Sequence, residues 1–150
     1  MKQYDKIITL YLRSINLFSE IEKKPRYFGT KHLLYSSEID TLMIIGELSQ
    51  NINLTQLALA LGISKSGTSR FIKKLLDKEL IIKDKKPGND KEVVFGLTEQ
   101  GKIAFEEKTK INKKIYEALY QNVSCYVEAD LNRIEEFLLE TNEAMKNLGY

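Results

Sequence analysis

Small hydroxyl side chains and cations alternate in the segment from Ser64 to Lys74. On an α-helix the apolar residues of this segment fall on one face and most of its polar residues on the other. Hydroxyls, lysines and arginines are the side chains that contact base edges and phosphates in a DNA groove. The segment therefore predicts a DNA-contacting helix, with candidate contacts at Lys65, Ser66, Gly67, Thr68, Ser69, Arg70, Lys73 and Lys74.

Three residues of this helix have distinct expected roles. Arg70 carries a planar guanidinium that can donate two parallel hydrogen bonds to one guanine. Ser64 is expected to cap the helix rather than to read DNA. Gly67 has no side chain on the outward face and costs roughly 1 kcal/mol of helix propensity relative to alanine. It either permits close approach of DNA to the backbone or is simply tolerated.

A second, shorter helix is predicted directly before this one, over residues 54–61. Ala58 is small enough to let two helices approach closely, and Gly62 can adopt the positive φ that ends the first helix. This spacing predicts a helix-turn-helix. Its structural residues are Ala58, Gly62 and the cap Ser64, together with a shared core to which we assign Leu57, Leu61, Ile63, Thr68 and Phe71.

A β-hairpin is predicted after the helix-turn-helix. Two β-branched or apolar runs, 80–83 and 93–97, flank the turn-forming residues 86–90. In this position the hairpin predicts the wing of a winged helix. Its lysines either contact DNA or protect a strand edge from aggregation. The candidate DNA contacts of the wing are Lys83, Lys85, Lys86, Asn89 and Lys91.

Positive charge is concentrated in the same part of the chain. The whole sequence has a formal net charge of +2, whereas residues 63–91 contain nine basic and four acidic side chains and carry +5. The remainder of the chain therefore carries −3. A local excess of this kind attracts the phosphates of nucleic acid, although a solvated charged face is the alternative interpretation.

The remaining segments predict amphipathic helices. Apolar residues recur at helical spacing over 4–21 and 127–148, Ser36 and Ser37 resemble a cap before another helix, and Thr98 is expected to cap a helix that runs to about residue 122. The expected fold is mainly α with one small β-hairpin, a winged helix-turn-helix within a single domain spanning residues 1–150.

Composition excludes several classes of protein. No apolar run approaches the roughly 20 residues of a membrane span, and the first residues lack the pattern of a signal peptide, so we expect a cytoplasmic protein. Cys125 has no second cysteine to pair with, and its neighbours Tyr126 and Glu128 supply no activating cation, so we expect an inert thiol. A lone histidine and a lone cysteine predict no metal site, no cofactor and no enzyme.

The motifs of residues 37–105 resemble those of the multiple antibiotic resistance regulator (MarR) family, and helix order and length extend the likeness to the rest of the chain. The resemblance implies a homodimeric transcription regulator, usually a repressor, which we expect to act on a pseudo-palindromic operator. It rests on Leu54-Thr55-Gln56-Leu57-Ala58, Leu61-Gly62-Ile63-Ser64-Lys65-Ser66, Ser69-Arg70, Leu75, Leu80-Ile81-Ile82 and Leu97-Thr98-Glu99-Gln100-Gly101.

The resemblance also divides the chain. It implies dimerisation helices in residues 1–35 and 99–150 and a DNA-binding region in residues 36–98. The long apolar stripes at both ends agree, because one small domain would struggle to bury them. The family's wing usually carries Asp-x-Arg, whose arginine enters the minor groove. Lys91 stands at that position here, and because lysine lacks the flat guanidinium we expect phosphate contact instead.

Two further expectations stay open at the level of sequence. The resemblance implies an effector site near the dimerisation helices, for which the candidate residues are Tyr11, Phe18, Arg26, His32 and Tyr116, although aromatic residues at helical spacing also form cores. The winged helix could alternatively contact another protein rather than DNA. An affinity for duplex DNA that falls steeply with salt would distinguish DNA binding from that alternative.

Overall fold

The computed structural model describes residues 2–48 and 51–148. Within these residues the chain forms six α-helices and three short strands. In chain order they are α1 (Gln3–Lys23), α2 (Ser36–Glu47), β1 (Ile52–Asn53), α3 (Leu54–Leu61), α4 (Lys65–Asp77), β2 (Ile81–Lys86), β3 (Asn89–Leu97), α5 (Glu99–Val123) and α6 (Glu128–Asn147). No helix of the described residues is long and apolar enough to span a membrane.

The chain divides into two compact units, one ending at Lys110 and the other beginning at Ile111. The first unit contains the hydrophobic core, to which α2, α3, α4, all three strands and the start of α5 contribute. Its central side chains are almost completely buried because each of these elements turns its apolar face inward. They include Leu34, Ile39, Leu42, Ile45, Leu57, Leu75 and Leu80.

Helix α2 begins at Ser36, so its capping position lies one residue before the predicted cap. Tyr35 is the residue before the first helical turn, and its backbone N–H donates to the Glu38 carboxylate over 2.9 Å. Ser36 and Ser37 are therefore helical residues rather than caps, which corrects the expectation from sequence. The Glu38 side chain reaches back over one turn and accepts from the Tyr35 N–H, so the start of the helix is capped by a carboxylate and not by a serine hydroxyl.

The β-structure is larger than the predicted hairpin. β2 and β3 pair antiparallel, with Ile81 opposite Leu97, and β1 adds a third strand on the other side of β3, with Ile52 opposite Phe95. The two-residue strand escapes detection in sequence because it is too short to show alternation. It matters for the site because it leads directly into α3.

The end of α4 is held against the start of α5. The Thr98 hydroxyl donates to the Glu79 carbonyl over 2.8 Å and accepts from the Gly101 N–H over 3.0 Å, as expected for a cap. Gly101 lies so close to the Leu80 carbonyl that any side chain there would collide with it. The turn from α4 into β2, which contains Glu79 and Leu80, is therefore held in place by Thr98 and Gly101.

Candidate DNA interface

Helix α4 separates a buried face from a polar face, as predicted. Ile72 and Leu75 are buried on its inner side, at 5% and 0% exposure. The outer side is exposed and carries hydroxyls and cations, namely Lys65, Ser66, Ser69, Arg70, Lys73 and Lys74, with one acid, Asp77, in the last turn. Hydrogen-bond donors of this kind, projecting from one side of a helix, can meet base edges and phosphates in a major groove.

Thr68 does not belong to this outer side, contrary to its inclusion among the predicted contacts. Its side chain is completely buried, and its hydroxyl donates to the Ser64 carbonyl over 3.0 Å. A helical threonine on the inner face can satisfy its hydroxyl in this way, within the preceding turn. Thr68 is therefore a residue of the helix-turn-helix core, which was the second role that the sequence indicated.

The turn between α3 and α4 has the predicted backbone. Gly62 adopts a φ of 66° at the end of α3, in the left-handed region that favours glycine. The Ser64 side chain accepts from the Gly67 N–H over 3.2 Å and caps α4. Ala58 is buried, at 6% exposure, and its small side chain allows the two helices to lie close together. These residues set the angle at which α4 leaves the core.

The shared core of the two helices is smaller than predicted. Leu57 is completely buried, whereas Leu61 and Phe71 are only partly buried. Ile63 is 41% exposed, which corrects its assignment to the core. Its contribution comes from the backbone, since its N–H donates to the Ala58 carbonyl over 3.2 Å and directs its side chain away from the interior.

Gly67 is half-buried rather than fully exposed. A Cβ atom at this position would lie 3.4 Å from the Ser64 hydroxyl oxygen and 3.6 Å from the Ile63 side chain, which are ordinary contact distances. Packing within the chain therefore does not require glycine here.

Lys78, at the end of α4, turns its charge inward. Its ammonium group lies 2.8 Å from the Glu38 carboxylate and donates over 2.8 Å to the Leu33 carbonyl. Both acceptors belong to the segment before and within α2. Lys78, one of the nine cations of residues 63–91, is therefore neutralised within the protein. It connects α4 to α2 and does not add to the positive charge of the exposed surface.

The wing, defined here as residues 81–97, projects beyond the core. Its cations remain exposed at Lys83, Lys85 and Lys91, and the Lys91 N–H donates to the Asn89 side chain over 3.2 Å. Within the described residues, no ion pair involves any of these three lysines or the cations of the outer side of α4. Their charge is therefore available to a polyanion.

Lys86 behaves differently from the other wing lysines. Its ammonium group lies 2.9 Å from the carboxylate of Glu92. Glu92 also accepts from the amide groups of Asn53, over 2.6 Å, and of Asn89, over 3.4 Å. The hydrogen bonds from Lys86 and then Asn53 hold the pKa of Glu92 below its ordinary value. Sequence reasoning missed Glu92, because no local signal links it to Asn53, 39 residues away.

A groove separates α4 from the wing. Its volume is about 360 Å³, and apolar side chains including Ile72, Val93 and Phe95 form its floor. Ser69, Lys73, Asp77 and Lys83 also line it. The groove therefore carries two exposed cations, one from α4 and one from the wing, against a single acid, and the excess positive charge favours a negatively charged backbone.

The candidate effector residues fall in both units. In the first unit, Tyr11 and Phe18 lie on α1, and Arg26 and His32 lie on the connection to α2. Tyr116 belongs to the second unit, where its ring stacks on that of Tyr120. Among residues 2–48 and 51–148, the buried Nε2 atom of His32 has no hydrogen-bond partner.

Cys125 is exposed. In the same described ranges, no three His, Cys, Asp or Glu side chains come together as metal ligands would.

The fold and the face of α4 define a winged helix-turn-helix protein, and solved structures agree. FabT of Streptococcus pneumoniae, crystallised in complex with DNA, superposes with a TM-score of 0.76 at 16% identity, covering 97% of this chain and 99% of that one. ZitR of Lactococcus lactis, described as a zinc-responsive MarR family member, gives 0.75 at 21% identity, covering 95% and 99%. At these identities the likeness concerns the fold.

Sequence comparison gives the same family likeness over part of the chain. A model of the MarR family matches residues 34–93. YvnA of Bacillus subtilis (strain 168), an uncharacterized HTH-type transcriptional regulator, is 34% identical over 89 residues, 59% of this chain and 57% of that protein. PchR of the same organism, an HTH-type transcriptional regulator, is 26% identical over 110 residues, 73% of this chain and 64% of that protein. The match to the MarR family over residues 34–93 confirms the resemblance there.

These alignments span less than two thirds of the length of either curated relative, 57% and 64%.

Proposed function

We propose that this chain regulates transcription by binding double-stranded DNA, with α4 in the major groove and the wing against the adjacent backbone. The observation that carries the proposal is the outer side of α4, which exposes hydroxyls and cations, whereas the opposite side is buried. These cations have no ion-pair partner among the described residues. The match to the MarR family supports a regulator rather than an enzyme. FabT, which has a similar fold, was crystallised in complex with DNA, and this supports DNA as the partner.

The proposed active form is a homodimer. Helix α1 buries none of its residues, and α6 buries none among those described. Exposed apolar surface of this extent, on each of the two helices, is uncommon on soluble monomers and supports an interface with a second copy through residues 1–35 and 99–150. The exposed apolar residues of α1 are Tyr4, Ile7, Ile8, Leu10, Leu12, Ile15, Leu17, Phe18 and Ile21.

A symmetric dimer would present two copies of α4 to DNA. We expect it to read two half-sites about one helical turn apart on a pseudo-palindromic operator, through the region 36–98. Occupying such a site within a promoter would exclude polymerase, so we propose repression rather than activation. A reporter behind the bound promoter should gain expression when the protein is removed, and a loss of expression would indicate an activator.

DNA binding is tested by selecting genomic fragments on the purified protein and measuring their affinity at several salt concentrations. We expect enriched fragments with two inverted half-sites, and an affinity that falls steeply as salt rises, because each neutralised phosphate releases counterions. Absence of binding to any duplex at low salt would contradict the proposal and favour a protein-interaction module. Sedimentation equilibrium on the same sample tests the dimer.

We extend the proposal to a small anionic effector that releases the DNA. The buried, unpaired Nε2 atom of His32 supports it, because such an atom gains free energy when a ligand supplies a hydrogen-bond partner. Arg26 could neutralise the anion, and Tyr11 and Phe18, in the same unit, could contact its apolar part. A panel of phenolic and carboxylate compounds should include one that raises the melting temperature and weakens DNA binding. If none does so, the effector is withdrawn and DNA binding stands.

A further inference from the structure

Glu92 lies in an irregular part of the wing. Lys85 pairs with Val93 and the next residue, Lys86, pairs with Asn89, so three residues of β3, Asp90 to Glu92, fall between consecutive pairs of the ladder. A bulge of this kind bends the strand and turns side chains away from their regular positions. It lets Glu92 reach both the opposite strand and the start of α3.

The Glu92 carboxylate connects two structural elements of the proposed interface. One oxygen accepts from Asn53 over 2.6 Å, and Asn53 is also the residue that caps α3 by accepting from the Gln56 N–H. The other oxygen accepts from Lys86 over 2.9 Å and from Asn89 over 3.4 Å. The side chain of Glu92 is 23% exposed. These four side chains form a small network that joins the wing to the first helix of the helix-turn-helix.

We propose that Glu92 is a positioning residue that fixes the wing to α3 and withholds Lys86 from the cations that contact DNA. This inference rests on the proposed function. A lysine releases counterions from DNA when its charge neutralises a phosphate, but a lysine paired with a carboxylate brings no net charge. The wing therefore engages the backbone through Lys83, Lys85 and Lys91, although its sequence offers Lys86 as well.

The network favours the ionised form of Glu92. Hydrogen bonds from Lys86 and Asn53 lower the pKa of this carboxyl group. The amide groups of Asn53 and Asn89 also hold the carboxylate in place, so that it remains aimed at Lys86 rather than rotating into solvent.

The proposal is tested by the salt dependence of binding to a short fluorescent duplex of random sequence, between about 50 and 200 mM salt. Three variants are compared with the natural sequence. Glu92→Gln is nearly isosteric and keeps an oxygen for Asn53, but no longer neutralises Lys86. Asp90→Asn is the matched control, because it removes one negative charge from an exposed position of the same bulge, where no ion pair is found among the described residues. The double variant Glu92→Gln, Lys86→Gln removes the released lysine again.

We expect Glu92→Gln to steepen the plot of log affinity against log salt by about 0.9, the contribution of one additional phosphate contact. Its affinity should accordingly fall about 3.5-fold more than that of the natural sequence over this fourfold rise in salt. The double variant should return to the original slope, and Asp90→Asn should change the slope by less than half as much. Circular dichroism confirms that all variants are folded.

Equal slopes for Glu92→Gln and Asp90→Asn would overturn the proposal, because the effect would then be one of general charge. A steep slope retained in the double variant would also overturn it, because Lys86 would not be the released cation. If the natural sequence binds no duplex at all, the proposed function itself fails, and this outcome is distinct from the other two.

Discussion

Helix α4 and the wing are both anchored by a lysine–glutamate pair, but the two pairs lie at different depths. The pair at the end of α4, Lys78 with Glu38, is 2.8 Å long, and its side chains are 21% and 2% exposed. The pair in the wing, Lys86 with Glu92, is 2.9 Å long, and its side chains are 44% and 23% exposed. The same kind of ion pair thus joins α4 to α2 in the interior and belongs to a network near the surface in the wing.

The difference indicates what each region contributes. A buried pair is screened little by salt, and its loss leaves a charge without a partner, so the orientation of α4 is determined by the core. An exposed pair is screened and contributes little to stability, so the wing depends on a local network that salt and substitution can alter. We therefore expect sequence discrimination to come from α4 and salt-dependent affinity to come from the wing.

The largest effect is expected at the buried pair. Glu38→Ala leaves the Lys78 ammonium without its carboxylate and the Tyr35 N–H without its acceptor, and should lower the free energy of unfolding by about 3 kcal/mol in urea titrations. The matched comparison is Glu92→Ala in the wing, which should lower the free energy of unfolding by less than half as much, because its pair is more exposed to solvent. A comparable loss in both variants would contradict the comparison between the two regions.

The next effect concerns α4 alone. Arg70→Ala removes the guanidinium proposed to read a guanine, and should weaken binding to an enriched fragment by roughly 1 to 3 kcal/mol and relax base preference at one position per half-site. Stability should be unaffected, because Arg70 is exposed. Affinities for enriched and random duplexes measured side by side provide the check. If both fall equally, Arg70 contacts phosphate and does not read a base.

A smaller and different effect is expected in the wing. Lys85→Ala should weaken binding to enriched and random duplexes by the same factor and reduce the salt slope by about 0.9, because a phosphate contact is independent of sequence. From sequence alone, Lys86→Ala would be expected to behave identically, but its pairing with Glu92 now separates the two lysines. An unchanged slope in Lys85→Ala would exclude this lysine from the interface.

The smallest effect is expected at Gly67. A methyl group at this position meets only ordinary contacts at 3.4 and 3.6 Å, so Gly67→Ala should stabilise the protein by about 0.5 to 1 kcal/mol through helix propensity. Thermal unfolding measures this gain. Binding to an enriched fragment then distinguishes the two interpretations of the glycine. Weaker binding indicates close approach of DNA to the backbone, and unchanged binding indicates that glycine is merely tolerated.

Local signals in the sequence determined much of this protein. The left-handed Gly62, the capping hydroxyls of Ser64 and Thr98, and the two faces of α4 were all predicted, and the structure confirms them. Each depends on residues within one or two turns of each other. Backbone preferences and helical periodicity act over the same distance, and they are therefore readable from the chain alone.

The burial of side chains between the inner and outer sides of the helix-turn-helix could not be predicted from local signals. Thr68 is buried, although the sequence also offered it as a DNA contact. Ile63, in the turn between α3 and α4, is 41% exposed, although the sequence placed it in their shared core. Periodicity states which residues share a face, but the depth of each depends on what packs against it. The strand β1 is a similar case, since two residues become a strand only when β3 lies beside them.

The charged contacts were decided only by the tertiary structure. Lys78 meets a carboxylate 40 residues away, and Glu92 meets the cap of α3 at a separation of 39. In the sequence all the lysines of residues 63–91 look equivalent, because their charge is the same and no local pattern identifies which of them meets a carboxylate. Folding brings acids to Lys78 and Lys86 and leaves the others exposed, since an ion pair depends on distance in space and not on distance in sequence.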